Sequence, residues 1–336
     1  MLDIAVIILT KNEKLHIKRC LERLAPLEPR QIFVVDCFST DGTQDIVREW
    51  KSGGVREWMS GGVSTAAEFR RRAQEKVEKS PRLMPLAEAI GTVVHRQVAA
   101  GSNPSTAESI AYSNEHYKVE GHSIIQLIEH EWPGVQSVQF NWAIDNLPID
   151  ARWILRLDAD EYLTDESVEW LKVNLDSIDE KVDALEFTLE RKFMGGAIRH
   201  GTNGIQMVRM FKNGRGRYAE TLMDERIVFE GEKLSVPVVF YDDNLNSLEW
   251  WKEKHRGYAK REAQQAIEGL KSGAWTDPRK AKYYKLPPYF RAFAYFCVRY
   301  FLKLGFLDGV AGWRWHFWQG LWYRWLVDRE IGRISR

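Results

Sequence analysis

At 336 residues and 44% hydrophobic content, the chain is long enough for one large α/β domain with appendages, or for two modest domains. Charge is nearly balanced, 48 Lys and Arg against 47 Asp and Glu, which excludes a polycation for which nucleic acid is the default partner. The three cysteines, Cys20, Cys37 and Cys297, form no CxxC pair and no zinc cluster with nearby histidines, a pattern that suits a reducing cytosol.

The N-terminal run Ile4 to Leu9 is continuously apolar, as in a strand buried on both faces, and Lys11-Asn12-Glu13 follows it at once. It lacks a basic n-region and a small-residue cleavage site, so it reads as a first core strand and not as a signal peptide. Asn12 is a suitable cap ahead of Ile17, Cys20, Leu21 and Leu24, which recur at helical spacing. Gln31 to Cys37 predicts a second strand, and after the Asp41-Gly42 turn Ile46, Val47 and Trp50 mark a second helix. Alternation of this kind implies a parallel sheet with right-handed crossovers.

Beyond Gly53-Gly54, the segment 54–58 is a candidate third strand, and Ile124 to Ile128 is its competitor for the same place in the sheet. Between them, residues 59–122 form a polar, helix-prone excursion containing Arg70-Arg71-Arg72, read as an inserted helical subdomain because structureless loops of that length are rare in compact domains. Val138 to Leu147 predicts a short helix, and Trp153 to Leu157 a strand that ends in Asp158-Ala159-Asp160-Glu161. Three further β-rich runs follow at Ala184 to Leu189, Gln206 to Phe211 and Leu234 to Tyr241, then a helix from Leu248 to Leu270.

Two aromatic, basic segments close the chain, Pro288 to Leu304 and Ala311 to Val327. Five of the 14 tryptophans, Trp313, Trp315, Trp318, Trp322 and Trp325, fall in the last 24 residues. Aromatic rings interleaved with Arg314, His316 and Arg324 suit helices lying in the headgroup layer of a membrane, while ordinary core or dimer packing of the same rings is the alternative. Charges at Arg291, Arg299, Lys303 and Asp308 argue against a spanning segment.

The chemistry is concentrated at strand ends. Asp158 and Asp160 are two carboxylates two residues apart in a partly desolvated place, where they repel unless a cation intervenes. Hard oxygens of this kind suit Mg²⁺ or Mn²⁺, whose remaining sites take a substrate diphosphate. Asp36, at the end of the second strand, can accept from a nucleobase imide N–H; Ser39, Asp41 and Thr43 shape the turn that follows. Thr10, Asn12 and Glu13 end the first strand. Ligands of open α/β sheets bind beyond the carboxyl ends of strands, so convergence of these three ends predicts one site.

In these motifs the chain resembles the family 2 glycosyltransferases of GT-A fold, and among them the branch of lipopolysaccharide core β-1,4-glucosyltransferases. The resemblance rests on ILTKNE at 8–13, VVDCFSTDGT at 34–43, QFNWAIDNLP at 139–148, WILRLDADEYLT at 153–164, MDERI at 223–227 and LEWWKEKHRGYAKREA at 248–263. It leaves out the excursion at 59–122. It implies a Rossmann-like α/β domain with a mixed, mostly parallel sheet flanked by helices, made of residues 1–58 and 123–247, followed by a helical, membrane-associating region at 248–336.

The same resemblance implies roles. Thr10, Asn12 and Glu13 would line the nucleoside pocket with Asp36, Ser39 and Asp41; Gln139 and Asn141 would lie beside the donor. Asp158 would contact ribose or sugar and Asp160 would hold the metal. Asp224 would be the general base of an inverting displacement, with Glu225 as fallback because Met223 stands where the family has glutamate. Arg199, His200 and Arg209 would neutralise the donor diphosphate. The activity implied is transfer from a UDP-sugar, UDP-glucose foremost, to a lipid-linked saccharide in bacterial surface polysaccharide assembly, by a protein peripheral on the inner face of the cytoplasmic membrane. Rival readings are a polyprenyl-phosphate glycosyltransferase and an inert scaffold of the same fold. A sugar nucleotidyltransferase is disfavoured, since no Gly-rich loop with a trailing Arg-Lys pair lies near the N-terminus; homo-oligomerisation is left open.

Overall fold

The computed structural model describes residues 1–50, 58–59, 115–118, 123–202, 204–219, 226–275 and 278–335. Two compact units divide the chain, one of residues 1–187 and 207–238, the other of 188–206 and 239–336. The second therefore takes in residues 188–206 as well as the predicted C-terminal region.

In chain order, β1 (Leu2–Thr10) is followed by α1 (Ile17–Leu24), β2 (Pro29–Asp36) and α2 (Thr43–Glu49). After β3 (Trp58–Met59), β4 (Glu115–Lys118) and β5 (Ile124–Glu129), α3 (Gln136–Asn146) crosses to β6 (Trp153–Asp158). Then come β7 (Glu161–Leu163), α4 (Asp165–Asn174), β8 (Val182–Phe193), β9 (Gly196–Ile198) and β10 (Ile205–Lys212). The paired strands β11 (Gly216–Tyr218) and β12 (Ile227–Phe229) precede β13 (Glu232–Asp243).

The sheet order is β3-β4-β5-β2-β1-β6-β10-β8-β13-β7. Its centre, β5-β2-β1-β6, is parallel, and antiparallel pairing begins at β4 on one side and β10 on the other. The expected mixed, mostly parallel sheet flanked by helices is therefore present. Of the two rivals for the third position, β5 takes the place beside β2, and Trp58–Met59 lies at the edge as β3. Glu115–Lys118, inside the segment read as helical, is a strand that pairs with β5; the rest of that excursion lies outside the described residues.

Apolar character explains the centre. Ile4 to Ile8 are fully buried, with Ala5, Ile7 and Leu9 on the face that packs on Phe140, Ala143 and Ile144 of α3. α1 buries Ile17, Cys20, Leu21 and Leu24, the positions its helical spacing marked. Covering both faces in this way is what a parallel strand of unbroken hydrophobicity requires.

In the second unit, α5 (Leu248–Ser272) packs Ala259 and Ala263 on Tyr323, Leu326 and Val327 of α9 (Tyr323–Ile334). Between them lie α6 (Pro278–Tyr284), α7 (Phe290–Cys297) with a π-helical extension Val298–Leu302, and α8 (Gly309–Trp315) with another at His316–Trp322. The aromatic tail is partly core: Trp315 is buried against Phe193, Ile198 and Trp251. Arg324, read as a headgroup-facing residue, turns inward instead, and so does Arg291. Arg291 binds Asp328 at 2.7 Å, and Arg324 pairs with Glu262, which also accepts from Tyr323 at 2.6 Å. Yet apolar surface remains, with Leu302 at 77% exposure, Val310 at 66% and Phe290 at 58%. Among the described residues, no helix is long and apolar enough to cross a membrane.

Two histidines, His316 buried and His255 half-buried, give this unit a pH dependence. His255 stacks on Trp251 at 3.5 Å and donates from Nδ1 to the Trp251 carbonyl, and burial lowers its pKa from 6.5 to about 4. Burial, with the Arg299 charge, likewise lowers His316 to about 4. An unfolded chain takes up these protons first as pH falls from 6.5 to 4, so stability is lost through that window. The melting temperature should be lower at about pH 5 than at about pH 7, with a smaller difference in His255→Gln; equal differences in the two proteins would contradict the assignment.

Candidate active site

Register brings the strand ends level. Glu129 of β5 pairs with Asp36 of β2, Asp36 with Thr10 of β1, and Leu9 with Asp158 of β6. The chain leaves β1 toward β2 on one side and returns to it through β6 on the other, so the row lies at the topological switch point where open α/β sheets form their crevices.

Asp36 is fully buried and joins the row together. Its Oδ1 accepts from the Ser39 amide and from Gln44 Nε2, both at 2.7 Å, and its Oδ2 accepts from Thr10 Oγ1 at 2.8 Å and Ser39 Oγ at 2.6 Å. Gln44 Nε2 also donates to Glu129 at 2.8 Å. To read a nucleobase N–H as well, Asp36 must exchange one of these donors for it.

The loops above the row are laced to each other. Asn12 donates its amide to Ser39 Oγ at 2.7 Å and accepts from the Thr40 amide at 2.9 Å. The Glu13 and Lys14 amides donate to Thr43 Oγ1 and Asp41 Oδ2 at 2.8 and 3.0 Å. Glu13 itself accepts from His16 Nδ1 at 2.6 Å. Although burial acts to raise it, hydrogen bonds from Thr43 and the Lys14 amide hold the Asp41 carboxyl below its ordinary value. Asn12 and Phe38 both stand in the left-handed region, at φ 58° and 54°, a strain that persists only where surroundings impose it. Phe38, to which the sequence motif gave no role of its own, is 53% exposed and offers an aromatic face at the rim.

Beside β6 lies a charge cluster that the sequence pattern did not separate from the core. Arg156, buried beneath Tyr218 and Phe140, forks Asp158 at 3.1 and 3.3 Å, and Gln136 donates to the same carboxylate at 3.2 Å. Burial acts to raise the Asp158 pKa, but the Arg156 and Arg209 charges outweigh it and hold it low. Arg209 donates to Glu161 at 2.6 Å, and Glu161 accepts the Asp158 amide at 3.0 Å. Burial, reinforced by Asp158 and Asp160, pushes the Glu161 carboxyl up against the Arg209 charge. An alternation of Arg and acid along a buried strand was the signal available for this cluster.

The expected site residues separate into groups. Thr10, Asn12, Glu13, Asp36, Ser39, Asp41 and Asp158 come together at the row and its loops, with Arg209 in the adjoining cluster. Gln139 and Asn141 are buried supports: Gln139 accepts from His130 at 2.8 Å, and Asn141 clamps the Tyr218 backbone with two bonds of 2.9 Å. Arg199 and His200 belong to the second unit, where their amides donate to Asp308 at 2.9 and 2.8 Å. Asp224 and Glu225 lie outside the described residues.

Among the described residues, no group of three or more His, Cys, Asp or Glu could hold a metal ion. Mg²⁺ and Mn²⁺ nevertheless need only one or two protein carboxylates when substrate phosphates complete the shell. Half-buried Asp160 on the turn after β6 fits that need. Asp158 fits only if its carboxylate is released from the Arg156 fork.

Residues 5–60 match the family model described as glycosyl transferase family 2. The matched segment carries β1, β2 and their loops, and it places the protein in the class of glycosyltransferases. Solved structures similar over 100% of this chain are those of S. aureus TarS 1-349 alone (14% identity, 92% of that chain, TM-score 0.36), in complex with UDP (12%, 92%, 0.39) and in complex with UDP-GlcNAc (12%, 93%, 0.41). Likeness at this level assigns neither donor nor acceptor to the present chain. No curated protein matches the sequence.

The Asp36 bonds yield a stability test. Asp36→Ala leaves the Thr10, Ser39 and Gln44 donors without their acceptor, at about 1–3 kcal/mol for each that stays dry. Denaturant titration should show a loss of at least about 2 kcal/mol; an unchanged midpoint would mean that Asp36 does not organise the loops.

Proposed function

We propose that the protein is an inverting glycosyltransferase that takes a UDP-sugar at the row formed by Thr10, Asp36 and Asp158 and transfers the sugar to a lipid-linked saccharide. The observation that carries this reading is the level register of the polar ends of β2, β1 and β6, two of them inside the segment matched by the family model.

In this reading the loops of Asn12 and Ser39 close on the nucleoside, with Asp36 meeting the base and Phe38 covering it. Asp160, with Asp158 once released from Arg156, would hold Mg²⁺ or Mn²⁺, whose charge would neutralise a leaving diphosphate. Arg156 and Arg209 keep the surrounding carboxylates paired while the donor is absent. Asp224, with Glu225 as the alternative, takes the proton of the attacking acceptor hydroxyl. UDP-glucose and an acceptor of the lipopolysaccharide core type follow from the motif resemblance alone.

Attachment to a membrane surface rests on a different feature. Phe301, Leu302, Leu304, Phe306, Leu307, Val310 and Trp313 are all exposed, with Lys303 and Arg314 exposed among them. Apolar side chains edged by cations are what an anionic bilayer surface takes up.

Asp160→Ala should lose the Mn²⁺-dependent part of UDP affinity measured by calorimetry, and unchanged affinity would remove the metal assignment. Asp224→Asn should keep donor binding and lose about a hundredfold or more in transfer from UDP-glucose with membrane extract; if transfer survives, Glu225 becomes the base. For the membrane face, the double variant Leu302→Asp and Leu307→Asp should stay in the supernatant when wild type floats with phosphatidylglycerol vesicles. Equal flotation of the two proteins would assign the exposed strip another role.

A further inference from the structure

Within the second unit a cavity of about 320 Å³ is lined by Arg191, Arg199 and Arg299 together with Tyr295, Trp315 and Gln319. A volume of this size belongs to the range of small-ligand sites. We propose that this cavity binds a phosphate oxyanion, and that it does so through these three guanidiniums and the Trp315 indole N–H.

The loop after β9 is built to put Arg199 there. Gly201 stands at φ +75° with the His316 ring against it, where a Cβ would lie 2.3 Å from the ring, and its amide donates to the Lys303 carbonyl at 2.8 Å. The Arg199 and His200 amides and His200 Nδ1 all bind Asp308, so that carboxylate is occupied by the loop itself. Arg191 reaches the cavity from β8, its Nε on Asp242 at 2.9 Å and its guanidinium over the Trp315 ring at 4.9 Å. Glu190 is the one carboxylate among the lining residues, against three guanidiniums.

Arg299 makes the imbalance acute. It comes from the π-helical turn after α7, is 3% exposed, and gives Nη1 to Gln319 Oε1. Its Nε and the Trp315 Nε1 are buried without an acceptor among the described residues. Buried N–H groups are almost always paired, and two unpaired ones beside one cavity define what its occupant must supply. Burial and the Arg324 and Arg191 charges depress the Arg299 pKa against the pull of Tyr295, so an anion would relieve this guanidinium directly. Phosphate matches the set because it accepts from several planar N–H forks at once.

A free phosphate ester and a lipid phosphate headgroup present the same oxyanion, and the test separates them. Calorimetry on the full chain uses inorganic phosphate and pyrophosphate with chelator present, which keeps any metal-dependent binding of a donor diphosphate silent. Flotation uses phosphatidylglycerol against phosphatidylcholine vesicles. Wild type should bind pyrophosphate, and Arg199→Ala should weaken it about tenfold or more; Arg199 is exposed, so this variant keeps the fold even if Arg299→Gln does not. Binding of phosphatidylglycerol vesicles alone, lost in Arg199→Ala, would assign the headgroup as the source. If no probe binds, or if Arg199→Ala binds every probe as wild type does, the proposal is overturned.

Discussion

The parallel register of β5, β2, β1 and β6 is the constraint on which the first unit depends. It fixes Glu129, Asp36 and Thr10 in one row, with Asp158 one step inward from Thr10. Moving one strand by a residue would turn its apolar side chains to the wrong face and take its polar end out of the row. Core packing and site geometry are therefore set together. The complete burial of Ile4 to Ile8 is what holds Thr10 beside Asp36.

Much of this was legible because the signals are local. Apolar runs marked β1, β2 and β6, and each ended in the residues that the fold brings to the same edge. The helical spacing of Ile17, Cys20, Leu21 and Leu24 identified the buried face of α1. Other features depended on tertiary pairing that no spacing encodes. Arg156 lies within an apolar strand pattern, yet its guanidinium turns to Asp158 and compensates the carboxylate that was expected to need a cation. Gln139 and Asn141 stood in a matching motif, but their amides support β11 and His130. The choice of β5 over the segment at 54–58 for the place beside β2 was likewise one between segments of equal β character, and β4 lies in a stretch whose polar pattern read as helical.

The aromatic tail shows how composition can be divided between two uses. Trp315, Tyr323 and Leu326 form core, and Arg291 and Arg324 are drawn inward by Asp328 and Glu262. Leu302, Val310 and Trp313 are left outside. Sequence alone could not apportion these residues, because a ring that packs and a ring that faces a bilayer follow the same helical period.

Binding of a nucleotide-sugar over the row of strand ends is the event on which the proposed transfer depends. Hydrogen exchange with and without UDP-glucose and Mn²⁺ tests it most directly. Exchange of the loop amides at 11–14 and 37–43, whose bonds to each other close the site, should slow on binding. Unchanged exchange in both loops at saturating ligand would contradict it.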